Sequence, residues 1–311
     1  MKRLVIYLVV TFGLSWGLWI PAGFALGTFE AGEASSTLMI VLIAVGMFFP
    51  LIGALIANFA CKPEKRIDLC FKPHIKGNVK HYLAAWFLPA LISLLGIAVF
   101  YVLNPDRFDP TMMTYLEATA AQMGASIDEL VTTMPPTPIL IAGVLFSSLT
   151  YGPFINMIFA FGEEAGWRGM LFPTLAECMP VRAAAIVSGV IWGLWHAPII
   201  AMGHNFGMGY SGFPIAGILV MTLTCTAFGS WLAILRLRTK SVWPCALAHG
   251  AFNAIANLGV MFNVGAIDIF GPSPLALVAG IPLLALGVIC IVRIGRIPRG
   301  SSFEHAPQIR A

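Results

Sequence analysis

The sequence has little charge. Of its 311 residues, 10% are Asp, Glu, Lys or Arg, whereas 59% are hydrophobic. A soluble domain carries roughly 25% charged residues, and a mean hydropathy of +0.87 is too high for a surface that faces water. This composition excludes a soluble globular protein, a disordered chain and a secreted disulfide scaffold.

The sequence also lacks the short alternating strands of a membrane β-barrel. It has instead long apolar runs, and a helix of roughly 20 apolar residues spans a bilayer. We therefore predict an all-α, polytopic membrane protein, with residues 1–311 forming a single transmembrane domain and the active site inside the helix bundle. The first run is interpreted as a retained helix. The eight predicted spans are 4–27, 37–60, 82–103, 137–162, 183–203, 213–235, 242–262 and 275–292.

Basic residues are distributed unequally between the two ends of the predicted bundle. Arg107 alone falls on one side, and the other seventeen of the eighteen Lys and Arg residues fall on the side of the termini. Because short loops rich in Lys and Arg stay in the cytoplasm, both termini are predicted to be cytoplasmic. The seventeen are Lys2, Arg3, Lys62, Lys65, Arg66, Lys72, Lys76, Lys80, Arg168, Arg182, Arg236, Arg238, Lys240, Arg293, Arg296, Arg299 and Arg310.

Cysteine is scarce, and none of the six cysteines falls in a predicted outer loop. Cys61, Cys70 and Cys178 lie in or beside predicted inner loops, and the other three lie inside spans. Because protein disulfides form and persist mainly in oxidising compartments, structural disulfides are not expected.

Glu163 and Glu164 are unexpected at the end of the fourth apolar run, since ionisable groups within membrane segments are costly and usually functional. In a helix, Glu164 and Arg168 are neighbours four residues apart in the favourable order. Glu163 points about 100° away. The spacing therefore predicts a paired Glu164 and an unpaired Glu163 that suits a general base.

Two further polar clusters lie inside predicted spans. His196 follows Trp192 by one turn, and the nearby Pro198 lacks a backbone donor, which predicts a kink. His249 and Asn253 lie four residues apart on one helix face, and both can donate hydrogen bonds to an oxyanion. A carboxylate, a histidine and this pair together supply the groups that peptide hydrolysis requires.

Each cluster also has a structural interpretation. The two glutamates can form a solvated helix end, and buried histidines and asparagines commonly join membrane helices. The sequence is therefore compatible with two interpretations, an enzyme and a non-catalytic membrane scaffold. The sequence contains no HExxH helix, Walker loop or dinucleotide fingerprint, so those enzyme classes are not indicated.

The three motifs, taken in order, resemble the CPBP family of intramembrane endopeptidases, which includes the type 2 CAAX prenyl proteases, Abi proteins and bacteriocin-processing relatives. The resemblance covers roughly residues 159–257. Glu164 and Arg168 match the rest of the first motif, and the resemblance gives them a supporting role. The motifs are Glu163-Glu164-x-x-x-Arg168, then His196, then His249-x-x-x-Asn253.

The resemblance implies a role for each motif residue. Glu163 and His196 would activate the attacking water, and His249 with Asn253 would stabilise the tetrahedral oxyanion. Trp192 departs from the family pattern, which usually has Phe at this position, so an aromatic supporting residue is kept while the shape of the pocket can differ.

No cofactor is expected. The family has been described as metalloproteases, and zinc is the alternative, with Glu163, His196 and His249 as its ligands. The motifs contain no closely spaced histidine pair, and Asn is a poor zinc ligand but a good oxyanion donor. A glutamate-dependent mechanism without metal is therefore favoured.

We predict an intramembrane endopeptidase that hydrolyses peptide bonds of membrane-associated proteins or peptides, in CAAX-type processing or in peptide maturation. The alternative is a non-catalytic scaffold or a bacteriocin self-immunity protein. The expected partners are the lipid bilayer and the substrate, and no nucleic acid is expected. The predicted location is a bacterial-type cell membrane, as an integral multi-pass protein.

Overall fold

The computed structural model describes residues 2–31 and 37–296. Within these ranges the regular structure is helical apart from one isolated bridge between Phe108 and Asn263, which confirms the predicted all-α class. The helices of the first half are α1 (Lys2–Ala25), α2 (Thr28–Ala31), α3 (Thr37–Gly46), α4 (Phe49–Phe59), α5 (Val79–Leu103), α6 (Met113–Met123), α7 (Ile127–Thr133) and α8 (Thr137–Leu149). Those of the second half are α9 (Gly152–Gly166), α10 (Phe172–Ala176), α11 (Val181–Trp195), α12 (Ala197–Ile200), α13 (Ile215–Thr239), α14 (Trp243–Ile255) and α15 (Ile281–Ile294).

Three short 3₁₀ segments and one π-helical turn complete the helical structure of the described ranges. The 3₁₀ segments are Pro63–Lys65, Pro105–Arg107 and Val260–Phe262, and the π-helical turn is Trp167–Leu171, between α9 and α10.

The protein is a polytopic membrane protein, but fewer helices than predicted are long enough to cross a membrane. Five helical stretches have the necessary length and apolar composition, and α7 with α8 makes a sixth if their 71° bend lies within one span. The described residues therefore contain five or six helical stretches of this length, fewer than the eight predicted spans, and two shorter apolar helices, Val181–Trp195 and Ile281–Ile294. The five are Lys2–Ala25, Thr37–Phe59, Val79–Leu103, Ile215–Thr239 and Trp243–Phe262.

The difference arises where proline interrupts an apolar run. The fourth predicted span divides into α8 and α9, and Pro153 lies in the first turn of α9. The fifth divides at His196, with Pro198 at the start of α12. The eighth begins only at α15, whose first turn holds Pro282. Proline is tolerated in the first turn of a helix but not in its interior, so apolar composition alone misses these breaks.

Small residues allow the central helices to approach closely. A Cβ atom added to Gly250 of α14 would lie 2.5 Å from the backbone oxygen of Pro153 and the backbone nitrogen of Met157 in α9. Gly189 and Gly193 of α11 face the backbone of α13 in the same way. Such small-residue contacts are typical of membrane helix packing. They bring α9, α11 and α14, which carry the three predicted motifs, into one bundle.

Side-chain contacts join the loops that the charge pattern assigns to one side. Arg3 forms a salt bridge to Glu177 at 2.6 Å and donates to the Lys65 carbonyl, and His74 Nδ1 lies 3.2 Å from the Thr239 carbonyl. The predicted inner loops therefore meet at one end of the bundle. Arg299 and Arg310 of the predicted inner tail lie outside the described residues. All six cysteines are free thiols, as predicted.

At the other end, the guanidinium of Arg107 lies 3.4 Å from the carboxylate of Asp268. The backbone N–H of Val264 also donates to the Arg107 carbonyl. These contacts join the segment after α5 to the segment after α14, both of which are predicted to lie outside.

Candidate active site

Glu164 lies at the centre of a buried ionic contact. Its Oε1 accepts a hydrogen bond from Arg168 at 2.9 Å, which confirms the predicted pairing four residues apart on the helix. The same oxygen lies 3.0 Å from Nδ1 of His249 on α14. Both glutamate and arginine are at most 2% exposed. The first and third motifs are thus joined directly through Glu164.

Glu163 is not free of hydrogen bonds, and the prediction of an unpaired carboxylate is wrong in this respect. Its Oε2 accepts the indole N–H of Trp167 at 3.1 Å and that of Trp192 at 2.7 Å. Trp167 follows Glu163 by one turn, and α11 supplies Trp192. These neutral donors fix one carboxylate oxygen without the salt bridge that Glu164 forms. The side chain is 2% exposed and borders a cavity.

Trp192 therefore does more than provide the aromatic packing expected from the sequence. Its indole donates to Glu163, and the guanidinium carbon of Arg168 lies 4.3 Å from the centre of its ring. A cation over an indole face is attracted by the negative charge of that face. Trp192 of α11 thus contacts both Glu163 and Arg168 of the first motif.

His196 lies at the break between α11 and α12, where the sequence predicts a kink. Its Nδ1 is 2.9 Å from the Trp192 carbonyl, which can only accept a hydrogen bond. Nδ1 must therefore carry a proton, and in neutral imidazole Nε2 is then an acceptor. The geometry supplies a proton acceptor at this position.

The motif residues border one cavity of about 200 Å³ inside the bundle. Glu163, His196, His249 and Asn253 all line it, so the structure brings together every residue that the sequence predicts as catalytic. The remaining walls are largely aromatic and aliphatic. A confined cavity with a few polar groups among apolar walls is typical of a small binding or active site.

The backbone after α9 changes its helical period at the site. Residues Trp167–Leu171 form a π-helical turn, and all five are buried. Such turns are rare and frequently occur at functional sites. Two hydrogen-bonded pairs, each four residues apart, join the last turn of α9 to this π-helical turn. They are Glu163 with Trp167 and Glu164 with Arg168.

A zinc ion bound by Glu163, His196 and His249 would require these side chains to converge on one point. In the two described ranges, no group of three His, Cys, Asp or Glu side chains is arranged to hold a metal ion. One Glu163 oxygen already accepts two indole hydrogen bonds. The residues as arranged do not fit zinc with this ligand set.

Sequence reasoning missed several polar or hydrogen-bonding residues of the site. Trp167 holds Glu163, and the cavity is also lined by His204, Asn205 and Asn257. Trp167 could have been found, since it follows Glu163 by four residues. The two residues after α12 are placed by a loop, and no periodic pattern predicts their position.

Comparisons with known proteins support the resemblance inferred from the motifs. Residues 142–255 match the family described as Type II CAAX prenyl endopeptidase Rce1-like, and this stretch contains all the predicted site residues. The chain is also similar to CAAX prenyl protease 2 of Methanococcus maripaludis, with 36% identity over 53 residues. That alignment covers 17% of this chain and 20% of the relative. The predicted resemblance is confirmed, and the matched part spans a fifth of that relative's length.

Proposed function

We propose that this chain is an intramembrane endopeptidase that cleaves membrane-associated proteins or peptides of the CAAX type. The observation that carries the proposal is the cavity that Glu163, His196, His249 and Asn253 line together inside the helix bundle. The similarity of residues 142–255 to CAAX prenyl endopeptidases supports the same reaction class.

Glu163 is the general base of the proposed reaction. The two indoles hold its Oε2, and its other oxygen takes the proton of a water as that water attacks the peptide carbonyl. The proton then passes to the leaving amine when the carbon–nitrogen bond breaks. His196 accepts a hydrogen bond from the same water at Nε2, because its Nδ1 donates to the Trp192 carbonyl.

Asn253 and His249 stabilise the oxyanion that forms on the former carbonyl oxygen. The carboxamide of Asn253 donates through its NH₂ group. His249 donates to Glu164 through Nδ1, so its Nε2 can donate as well only when the imidazole is protonated. The contact with Glu164 fixes the orientation of the His249 ring at the cavity. The proposal thus gives Glu164 a supporting role through His249.

Comparison of membrane proteomes tests the function. Cells with the wild-type chain should contain a processed form of a membrane-associated protein, and cells with Glu163→Gln should accumulate its precursor. Glu117→Gln, which changes an exposed carboxylate on α6, is the control and should process normally. Identical proteomes for wild type and Glu163→Gln would reject the endopeptidase and favour a scaffold.

The proposed reaction uses no metal ion, and this is tested separately. Because water is activated by Glu163 and His196, purified protein treated with a strong chelator should keep its cleavage rate. Metal analysis should find far less than one zinc per chain. If the protein contains one zinc per chain, and if activity is lost when that zinc is removed and returns when zinc is added back, the metal-independent mechanism is overturned.

A further inference from the structure

A second cavity, of about 410 Å³, lies where α5 begins and where α13 and α15 end. It is separate from the candidate active site and shares no lining residue with it. Seven residues line it, namely Lys80, His81, Ile234, Leu237, Arg238, Arg293 and Ile294. Three are basic and none is acidic, so the cavity suits an anion.

The positive charges around this cavity are not neutralised within the described chain. Lys80, Arg238 and Arg293 are exposed, and none of their side chains forms a hydrogen bond or ion pair with another described residue. His81 adds a buried Nδ1 that also lacks a hydrogen-bond partner there. Charges on three different helices that face one cavity repel one another unless a ligand neutralises them.

The start of α5 adds further hydrogen-bond donors. Its N-cap residue, Asn78, makes no side-chain cap, and its amide NH₂ donates to the His74 carbonyl. The first backbone N–H groups of a helix that lack a cap attract anions, and phosphate groups are common ligands at this position. The helix has 25 residues, so its dipole is fully developed.

The apolar part of the lining distinguishes a lipid from a free anion. Ile234 and Leu237 lie within the last two turns of α13, and Ile294 ends α15. Exposed apolar side chains continue along the two outer helices, with Leu83 on α5 and Val288 and Val292 on α15. A phosphate in the cavity would thus have its acyl chains beside an apolar surface.

We infer that this cavity binds the phosphate of an anionic lipid headgroup. Its position at the ends of three helices is where headgroups lie, and basic cavities between membrane helices are known to recognise anionic lipids. The phosphate of the bound lipid reduces the repulsion among the three cations and bridges α5, α13 and α15. This inference does not depend on the proposed protease activity.

Native mass spectrometry of the full chain in detergent, titrated with phosphatidylglycerol or phosphatidylcholine, tests the inference. The wild type should bind phosphatidylglycerol in preference to phosphatidylcholine. We expect each basic residue that faces the bound phosphate to contribute roughly 1 kcal/mol, or a fivefold change in affinity, so Lys80→Gln, Arg238→Gln and Arg293→Gln together should weaken binding roughly 100-fold. The single variant Arg293→Gln should weaken phosphatidylglycerol binding roughly fivefold. It replaces the triple variant in the test if the triple variant does not fold.

A control with equal charge loss separates a site from general attraction. Lys62, Lys72 and Lys76 are exposed at the same end of the bundle, and changing all three to Gln should leave phosphatidylglycerol binding within about twofold. Equal losses in the two triple variants would overturn the site, as would equal binding of the two lipids. Protection against thermal unfolding by inorganic phosphate but not by phosphatidylglycerol would assign the cavity to a free anion instead.

Discussion

Glu163 and Glu164 are adjacent in the sequence, but their surroundings differ. Two indole N–H groups hold Glu163 at the cavity, whereas Glu164 bonds to a guanidinium and an imidazole. The same substitution, Glu to Gln, therefore has different expected effects at the two positions. The two substitutions therefore distinguish a catalytic role from a structural role for adjacent carboxylates on one helix.

Glu163→Gln should fold and lose activity. The new carboxamide oxygen still accepts the hydrogen bonds from Trp167 and Trp192, and removal of a buried charge relieves desolvation. Loss of the base should lower the cleavage rate by roughly 10² to 10⁴-fold. Cleavage of the identified precursor and thermal unfolding should be measured in the same detergent. A stable variant with near-normal turnover would remove Glu163 from the mechanism.

Glu164→Gln should instead lower stability. Arg168 is 2% exposed and would lose its carboxylate partner, and removal of one member of a buried ion pair costs about 3 to 5 kcal/mol. Arg168 keeps its contact with Trp192, so about 3 kcal/mol is expected. Denaturant unfolding of this variant beside Glu163→Gln measures the difference. Equal stability of the two would show that the buried pair contributes little.

At the residue scale, the sequence predicts which side chains meet but not all of their bonds. The Glu164–Arg168 pair follows from helical spacing and is observed. The contacts of Trp192 with Glu163 and of His249 with Glu164 join different helices, 29 and 85 residues apart in the chain. Such contacts depend on how α9, α11 and α14 pack, which spacing within one helix does not encode.

At the scale of elements, the contact between α9 and α14 sets the geometry of the site. Gly250 follows His249 directly, and its lack of a Cβ lets the two helix backbones meet. Any side chain there must push α14 away from α9, because the nearest atoms belong to backbone and cannot rotate aside. The 3.0 Å contact between His249 and Glu164 would lengthen with it.

We therefore expect Gly250→Ala to impair both stability and cleavage. Overpacking of this kind costs about 1 to 3 kcal/mol, although alanine alone would favour the helix by about 1 kcal/mol relative to glycine. Gly143→Ala on α8, where a Cβ meets no atom within 4 Å, is the control and should be neutral or stabilising. The prediction is tested by measuring the thermal unfolding and the cleavage rate of both variants. A fully active, stable Gly250→Ala protein would show that this close approach is not required.

Helix breaks at the site were only partly predictable. Pro198 predicts the interruption at His196, since proline cannot donate to the preceding turn. The π-helical turn at Trp167–Leu171 has no proline and no sequence signature of its own. It is held by burial of all its residues, so it depends on the surrounding bundle and not on local sequence.

At the scale of the whole molecule, the charge pattern predicts the grouping of loops better than hydropathy predicts the number of spans. Hydropathy joins α8 to α9 and α11 to α12 because apolar composition continues across their proline-linked breaks. The predicted inner loops nevertheless meet through Arg3 with Glu177 and His74 with Thr239. The predicted grouping of the loops holds because the breaks between α8 and α9 and between α11 and α12 are short. They do not change the end of the bundle at which the charged loops lie.

The orientation of that end in the cell is testable with a native thiol. Cys178 is exposed next to Glu177, the residue that binds Arg3, so it marks the end predicted to be cytoplasmic. A membrane-impermeant maleimide should leave intact cells unlabelled and should label inside-out vesicles, because the basic loops are retained in the cytoplasm. Cys178→Ser should abolish most of the vesicle signal. Glu117→Cys on α6, in the predicted outer segment, should reverse the pattern when it is combined with Cys178→Ser, and should label in intact cells. Labelling of native Cys178 in intact cells would place this end, and with it the N-terminus, outside.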